Sequence, residues 1–221
     1  MRKTARKIAF VVFWYGLYLN TVLYLLIPQI YAQVEYRLLL LAIIGIGTLD
    51  TAIRPLSERG SARDRYSLLM FVLFLLNPFL WILAYYENRI IVSTFLPILD
   101  SILTSYVALG GFLLGGIITI VGRWQLRTFG SGTLVIEEEH ELIHSGLYSR
   151  IRHPIYLGGL IGAFAMEFTF RALLMPFLTL VLHFIVLRGR MQREEELMEE
   201  EFGTEYVAYR DSTHRLIPGL Y

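Results

Sequence analysis

The sequence contains no cysteine and little charge. Without a cysteine among its 221 residues, disulfides, thiolate metal sites and a cysteine nucleophile are excluded, and cysteine usage gives no clue to redox compartment. Charged residues make up 18% of the chain against 55% hydrophobic ones, and the mean hydropathy is +0.53. That balance excludes an ordinary soluble domain of this length and predicts an integral membrane protein. The formal net charge of +1 is uninformative, because basic residues gathered on one side of a membrane vanish in the sum. Also missing are an internal repeat, a low-complexity tract and a separate soluble domain. No nucleic-acid partner is expected.

What is present is a succession of apolar runs. A bilayer core of ~30 Å needs ~20 apolar residues per helix, and runs of that kind lie at Ile8 to Ile30, Tyr36 to Ile53, Ser67 to Tyr86 and Pro97 to Val121. The basic start "MRKTARK" resembles a signal peptide, but the run after it is too long for one and lacks a small-residue cleavage site. It is expected to remain as the first span. A fifth apolar region, Ile155 to Leu187, is long enough for two helices and is interrupted at Arg171 and Pro176, which predicts a tight helical hairpin. The expected fold is therefore an all-α polytopic membrane protein of about six transmembrane helices, four spans and then a hairpin. Residues 1–108 would supply N-terminal spans and residues 109–221 the functional core of one integrated domain.

The loops set the orientation. Arg2, Lys3, Arg6 and Lys7 precede the first span, and Arg54, Arg59, Arg63 and Arg65 lie between the second and third. The alternate loops near Glu35 and Glu87 carry one arginine each, so the N-terminus is expected in the cytoplasm. Alternation then places the segment Arg123 to His153, and the C-terminal tail, on that same face. "FGSGTLVIEEEHELIHSG" reads as an irregular connector, with room for a short strand or hairpin. The tail from Arg188 through Tyr209 is rich in helix formers and should extend the last span.

The most polar short motif, "GLYSRIRHPIYLGG", stands at the mouth of a span. Pro154 suits a first helical turn, having no N–H to leave unpaired, and the residue before it is biased toward extended backbone, which fixes His153 at the helix mouth. Open N–H groups there favour an anionic or electron-rich ligand, with Tyr156 one turn on. Arg150 and Arg152 read as holders of the membrane surface, and a basic anchor beside an interfacial tyrosine is the plainer reading of the whole motif. In "RGRMQREEELMEEEFGTEYVAY", Arg190 and Glu194 are four residues apart and share a helix face. The hairpin returns them to the surface from which "RHPIY" departs, so a cation, a carboxylate, an imidazole and a phenol can face one cavity. Glu199, Glu200 and Glu201 fit a solvated face better. Asp50 with Arg54, and Glu167 with Arg171, read as structural pairs at helical spacing. His183 fits a buried, hydrogen-bonded histidine, and Asn77-Pro78 a bend in the third span. No metal site is expected: His140 and His144 have helical spacing, but Glu138 and Glu141 beside them suit a solvated loop equally well.

"HELIHSGLYSRIRHPIYLG", an apolar hairpin, and "RGRMQREEELMEEEFGTEYVAYRDSTHRLIPG" together resemble the isoprenylcysteine carboxyl methyltransferase family and its prokaryotic relatives, over Arg123 to Gly219. The "RHPxY" element alone also occurs in phospholipid methyltransferases and sterol reductases. The resemblance implies that S-adenosylmethionine is held by His140, Glu141, Leu142 and Ile143, by Tyr148, and by His153, Pro154, Ile155 and Tyr156. It also implies that Arg190 binds the acceptor and that Glu194 lies at the cofactor, the two forming the catalytic pair. The eukaryotic enzymes have a polar cofactor contact where "TLVI" stands here, which leaves a backbone contact at Val135 or Ile136, or Gln125, as candidates. A carboxylate acceptor is ionised at neutral pH, so methyl transfer to it needs alignment and exclusion of water rather than a general base. The expected acceptor is a prenylcysteine-like or other lipid-like acid. The alternatives are N-methylation of a phospholipid or other amine, where Glu194 would accept a proton, and a lipid-binding protein without activity.

Overall fold

The computed structural model describes residues 2–54, 65–126 and 141–219. Regular structure among them is helical, apart from an isolated parallel bridge between Ile151 and His214. Five helices are long and apolar enough to cross a membrane. These are α1 (Ala5–Leu26), α2 (Val34–Ile53), α3 (Arg65–Phe95), α4 (Ile102–Leu126) and, after a shorter helix α5 (Pro154–Phe168), α6 (Leu174–Phe202). A terminal helix, α7 (Thr204–Ser212), follows. The four spans and the hairpin expected from hydropathy are thus present, but α5 has 15 residues. That is about 22 Å of helix, short of the ~30 Å bilayer core.

The boundaries also differ. The first span ends at Leu26, because Pro28 opens a 3₁₀ turn, Pro28–Ala32. The third runs past Tyr86 through a π-helical turn, Asn88–Val92, to Phe95. The fourth starts at Ile102 and continues to Leu126. Hydropathy locates the apolar mass, while helix ends depend on which backbone groups find partners, and these shifts lie where it has least to say. Helix α3 carries Pro78 in its interior, and the Asn77 side-chain amide donates to the Leu73 carbonyl at 3.1 Å.

Helices α4 and α5 approach closely through glycines. A Cβ on Gly158 would lie 2.5 Å from the Gly115 carbonyl oxygen, and one on Gly115 would lie 2.9 Å from the Gly162 nitrogen, so the backbones themselves form this contact. Many large apolar side chains stand on the outer surface, among them Leu41, Leu83, Val107, Ile117 and Ile185. Such a surface suits lipid rather than water.

One end of the bundle is closed by an ion-pair network. Arg171, with φ +61°, lies in the turn between α5 and α6. The expected pairing of Glu167 with Arg171 does not form. Helix α5 stops at Phe168, so helical spacing no longer brings the two together. Arg171 instead pairs with Glu35 and Asp100 and donates to the Ser105 hydroxyl at 3.0 Å. Glu167 accepts from the Thr179 hydroxyl. Glu87 accepts from the N–H groups of Leu173 and Leu174, both at 2.7 Å, and of Met175 at 2.9 Å. This satisfies the open N-terminus of α6.

Candidate functional site

At the other end, the segment before α5 is fixed to the tail. The Arg152 and His153 amides donate to the His214 and Arg215 carbonyls at 2.8 and 3.1 Å, and the His214 amide donates to the Arg150 carbonyl at 3.0 Å. Pro154 then occupies the first turn of α5. The Glu195 carboxylate sits among three donors: Arg152 Nε at 3.0 Å, His153 Nε2 at 3.1 Å, and the Arg215 guanidinium. Arg152 also donates to the Arg210 carbonyl at 2.8 Å. It is therefore a brace between the α5 mouth and the tail, not the membrane-surface anchor expected from its neighbours, whereas Arg150 is exposed. Glu195 was not singled out by the sequence, since nothing in a run of three glutamates distinguishes the one that turns inward.

A carboxylate only accepts, so His153 Nε2 carries its proton. Its Nδ1 lies 4.0 Å from Glu194 Oε2, and the ring stacks on Tyr156 with centroids 5.4 Å apart at 13°. The Tyr156 hydroxyl donates to Glu194 Oε2 at 2.6 Å and accepts from Arg190 Nε at 2.8 Å. Arg190 Nη1 donates to the Ser67 hydroxyl of α3 at 2.8 Å. The imidazole, phenol, carboxylate and guanidinium expected to face one cavity form a continuous chain of contacts.

That chain stands at the mouth of a cavity of about 590 Å³. Three helices contribute stripes at helical spacing: Ser67, Met70, Phe74 and Asn77 from α3; Tyr156, Gly159, Ala163 and Met166 from α5; His183, Leu187, Arg190 and Glu194 from α6. Thr119 and Arg123 come from α4. The mouth is polar and the walls below it are largely apolar. Helix α7 adds Tyr206 and Tyr209, and the Tyr209 hydroxyl donates to the Tyr148 carbonyl at 2.8 Å. Burial, and then the Glu194 charge, push the Tyr148 phenol well above its ordinary value, so it stays a neutral donor.

Of the residues expected at the cofactor, Glu141, Leu142, Ile143, Tyr148, His153, Ile155, Tyr156 and Glu194 line the cavity. Pro154 is buried and packs beside Gly122 rather than on the cavity wall. His140, Val135 and Ile136 lie outside the described residues, as does most of the expected connector strand. Gln125 supports the connector: its side-chain oxygen accepts from the Leu147 amide at 2.9 Å, beneath a turn where Gly146 has φ +62°. The Asp50–Arg54 pair is present at 2.6 Å, and Arg123 joins it by donating to Asp50. That ties α2 to α4 at the cavity rim. Arg123 and Ser67 were missed by the motif reading, although Ser67 falls on the α3 stripe. No group of three or more potential metal ligands occurs among the described residues.

The structure is that of a polytopic helical membrane protein with a polar cluster at the mouth of a cavity at one end, and the comparisons bear on its family and fold. The family model described as "Phospholipid methyltransferase" matches residues 103–205. Protein-S-isoprenylcysteine O-methyltransferase of Saccharomyces cerevisiae (strain ATCC 204508 / S288c) is 31% identical over 119 residues, spanning 48% of this chain and 48% of that protein. The matched stretch is thus about half the length of the curated relative. The solved structure of the eukaryotic intramembrane Ras methyltransferase ICMT (isoprenylcysteine carboxyl methyltransferase) superposes with a TM-score of 0.57 at 19% identity, over 97% of this chain and 77% of that one. At that identity the superposition establishes the fold. The resemblance to isoprenylcysteine carboxyl methyltransferases is borne out by sequence over about half of the chain and by fold over nearly all of it.

Proposed function

We propose that the protein is an S-adenosylmethionine-dependent methyltransferase acting on the carboxylate of a prenylcysteine-like or similar lipid-like acid. The observation that carries this reading is the Glu194–Tyr156–Arg190 chain at the polar mouth of a cavity whose walls turn apolar below it. The residues fit the cofactor by their chemistry. Glu194 can offset a cationic amino or sulfonium group, and Tyr148, Tyr156 and Tyr206 offer aromatic faces and hydroxyls for a purine and ribose. When bound, S-adenosylmethionine supplies an activated methyl group.

The residues of the chain then have separate tasks. Arg190, held by the hydroxyls of Tyr156 and Ser67, presents a planar guanidinium that orients a carboxylate. The tie from Tyr156 to both Arg190 and Glu194 fixes the spacing between acceptor and donor groups. Glu195 locks the His153 ring, on which Tyr156 stacks. Apolar walls exclude water from the acceptor's oxygen, strengthening these contacts. The basic residues Lys7, Arg54 and Arg65 lie at the same end: Lys7 Nζ donates to the Ala52 and Arg54 carbonyls at 3.0 and 2.7 Å. By the positive-inside rule this end faces the cytoplasm, where a water-soluble donor arrives while the acceptor comes through the membrane.

The family model's description favours a second reading, N-methylation of a phospholipid. Methyl-labelled S-adenosylmethionine, incubated with purified protein and either an S-farnesylcysteine derivative or a phosphatidylethanolamine vesicle, separates the two. Alkali-labile label on the cysteine derivative supports the acid reading. Alkali-stable label confined to the phospholipid overturns it in favour of the amine.

A further inference from the structure

The cavity has a floor, which sets how long a tail it can take. Its innermost lining residues are Asn77 on α3, Met166 on α5 and His183 on α6. One helical turn further in, each stripe leaves the cavity. Trp81 follows Asn77, Phe170 follows Met166 in the turn after α5, and Thr179 stands one turn inward of His183; all three are buried and none lines the cavity. They close on one another. The Trp81 and Phe170 rings have centroids 6.0 Å apart, and the Thr179 hydroxyl donates to Glu167, which is also buried. Met166 packs against the apolar cluster that contains Trp81 and Phe170. Helical side chains lean toward the helix N-terminus, and α5 begins at the mouth, so Met166 stands up from this floor into the cavity.

The depth of the floor follows from helix geometry. Arg190 is bonded to Ser67 at the mouth. At ~1.5 Å rise per residue, Trp81 lies about 21 Å below Ser67, and Thr179 about 16 Å below Arg190. An acceptor whose carboxylate is held by Arg190 therefore has roughly 16–21 Å for the rest of its length. An extended chain advances about 1.2 Å per bond. A prenylcysteine with three isoprene units reaches about 18 Å from its carboxyl carbon, over about 15 bonds, and one with four reaches about 23 Å, over about 19 bonds. The first ends at the floor. The second overruns it, and must buckle or lift its carboxylate from Arg190. We propose that Met166, backed by Trp81 and Phe170, is a length gauge that admits acceptor tails of up to three isoprene units and discriminates against four. The inference rests on the reading of the cavity as the seat of a prenylcysteine-like acid.

The test measures binding to the purified full-length protein in detergent, by displacement of tritiated N-acetyl-S-farnesylcysteine with the unlabelled farnesyl and geranylgeranyl compounds. Each affinity is corrected for the ligand's partition into protein-free micelles. The geranylgeranyl compound is expected to bind at least about tenfold more weakly, because a tail that overruns the floor weakens the charge-assisted bonds between the carboxylate and Arg190. Met166→Ala takes away the side chain standing on the floor and is expected to bring the two ligands within about twofold of each other, chiefly by improving the longer one. Partition cancels when that ratio is compared between the two proteins, and the wild-type ranking stands as the test should the variant not fold. Equal or tighter binding of the geranylgeranyl compound, no binding of either, or an unchanged ratio in Met166→Ala overturns the gauge. Methyl transfer is scored separately. Preferential binding of the farnesyl compound without any methyl ester would leave the gauge standing and count against the acid-methylation reading, while esters formed on both compounds at equal affinity would overturn the gauge alone.

Discussion

The two ends of the bundle hold similar groups in different states. At the closed end, Arg171 is shared among Glu35, Asp100 and Ser105, and Glu87 is consumed by three backbone N–H groups. Arg171 is thus held by Glu35 and Asp100, and Glu87 by the start of α6, which together fix the α5–α6 turn. At the site end, Glu195 plays the same part for the α5 mouth and the tail, but its neighbour Glu194 does not. Its side chain is 38% exposed against 7% for Glu195, and one of its oxygens takes the Tyr156 hydroxyl at the cavity mouth. Adjacent glutamates on one helix thus divide into a structural group and a group open to a ligand. Burial and partner count distinguish them, not residue type.

Glu195→Ala is expected to have the largest effect. It leaves Arg152, Arg215 and His153 without their carboxylate, and removing one partner of a buried ionic cluster costs ~3–5 kcal/mol. Thermal unfolding in detergent is expected to show the loss, along with activity lost through disordering of His153. Glu194→Ala should behave oppositely. Stability is expected to stay within about 1 kcal/mol, while methyl transfer falls about 10²–10³-fold, the range for removing one electrostatic contact in a reaction site. Equal destabilisation by the two variants would erase the distinction between them.

Glu87→Gln addresses the closed end. The one amide oxygen can still accept from Leu173 and Leu174, but the Met175 N–H then faces an NH2 group and the charge at the α6 N-terminus is gone, for an expected loss of about 1–3 kcal/mol. The KM for the acceptor should not change, because α6 keeps its register at Arg190. A changed KM would mean that the two ends are coupled.

The last effect appears only at alkaline pH. Burial pushes Tyr209 up to about 12, with Arg152 opposing and Glu195 adding to the rise. The folded protein thus holds this proton more tightly than the unfolded chain, whose tyrosine titrates near 10. Its contribution to stability is fully present below about pH 10 and is lost as pH rises through about 12. In Tyr209→Phe, stability should decline less steeply between those values, measured by unfolding across the alkaline range.

Much of this was legible in the sequence. Pro154 and the bias of the residue before it locate a helix mouth, and the spacing of Arg190 and Glu194 puts both on the face that meets Tyr156. The hairpin was readable because Arg171 and Pro176 interrupt an apolar run. What was not legible depends on partners distant in sequence. Arg171 lies four residues after Glu167, and only the end of α5 at Phe168 sends it to Glu35. Arg152 looks like a surface anchor until the tail carbonyls arrive beside it. The depth of the cavity, with Asn77 and His183 at its inner end, required three separate stripes to be brought into one register.

The mouth formed by Glu194, Tyr156 and Tyr148 is the proposed seat of S-adenosylmethionine. Titration calorimetry of S-adenosylhomocysteine, the demethylated product, into the purified protein tests it most directly. The account predicts one site per chain in the wild type, with binding weakened at least about tenfold in Glu194→Ala. Absence of binding to the wild-type protein, or equal affinity in the two proteins, would contradict it.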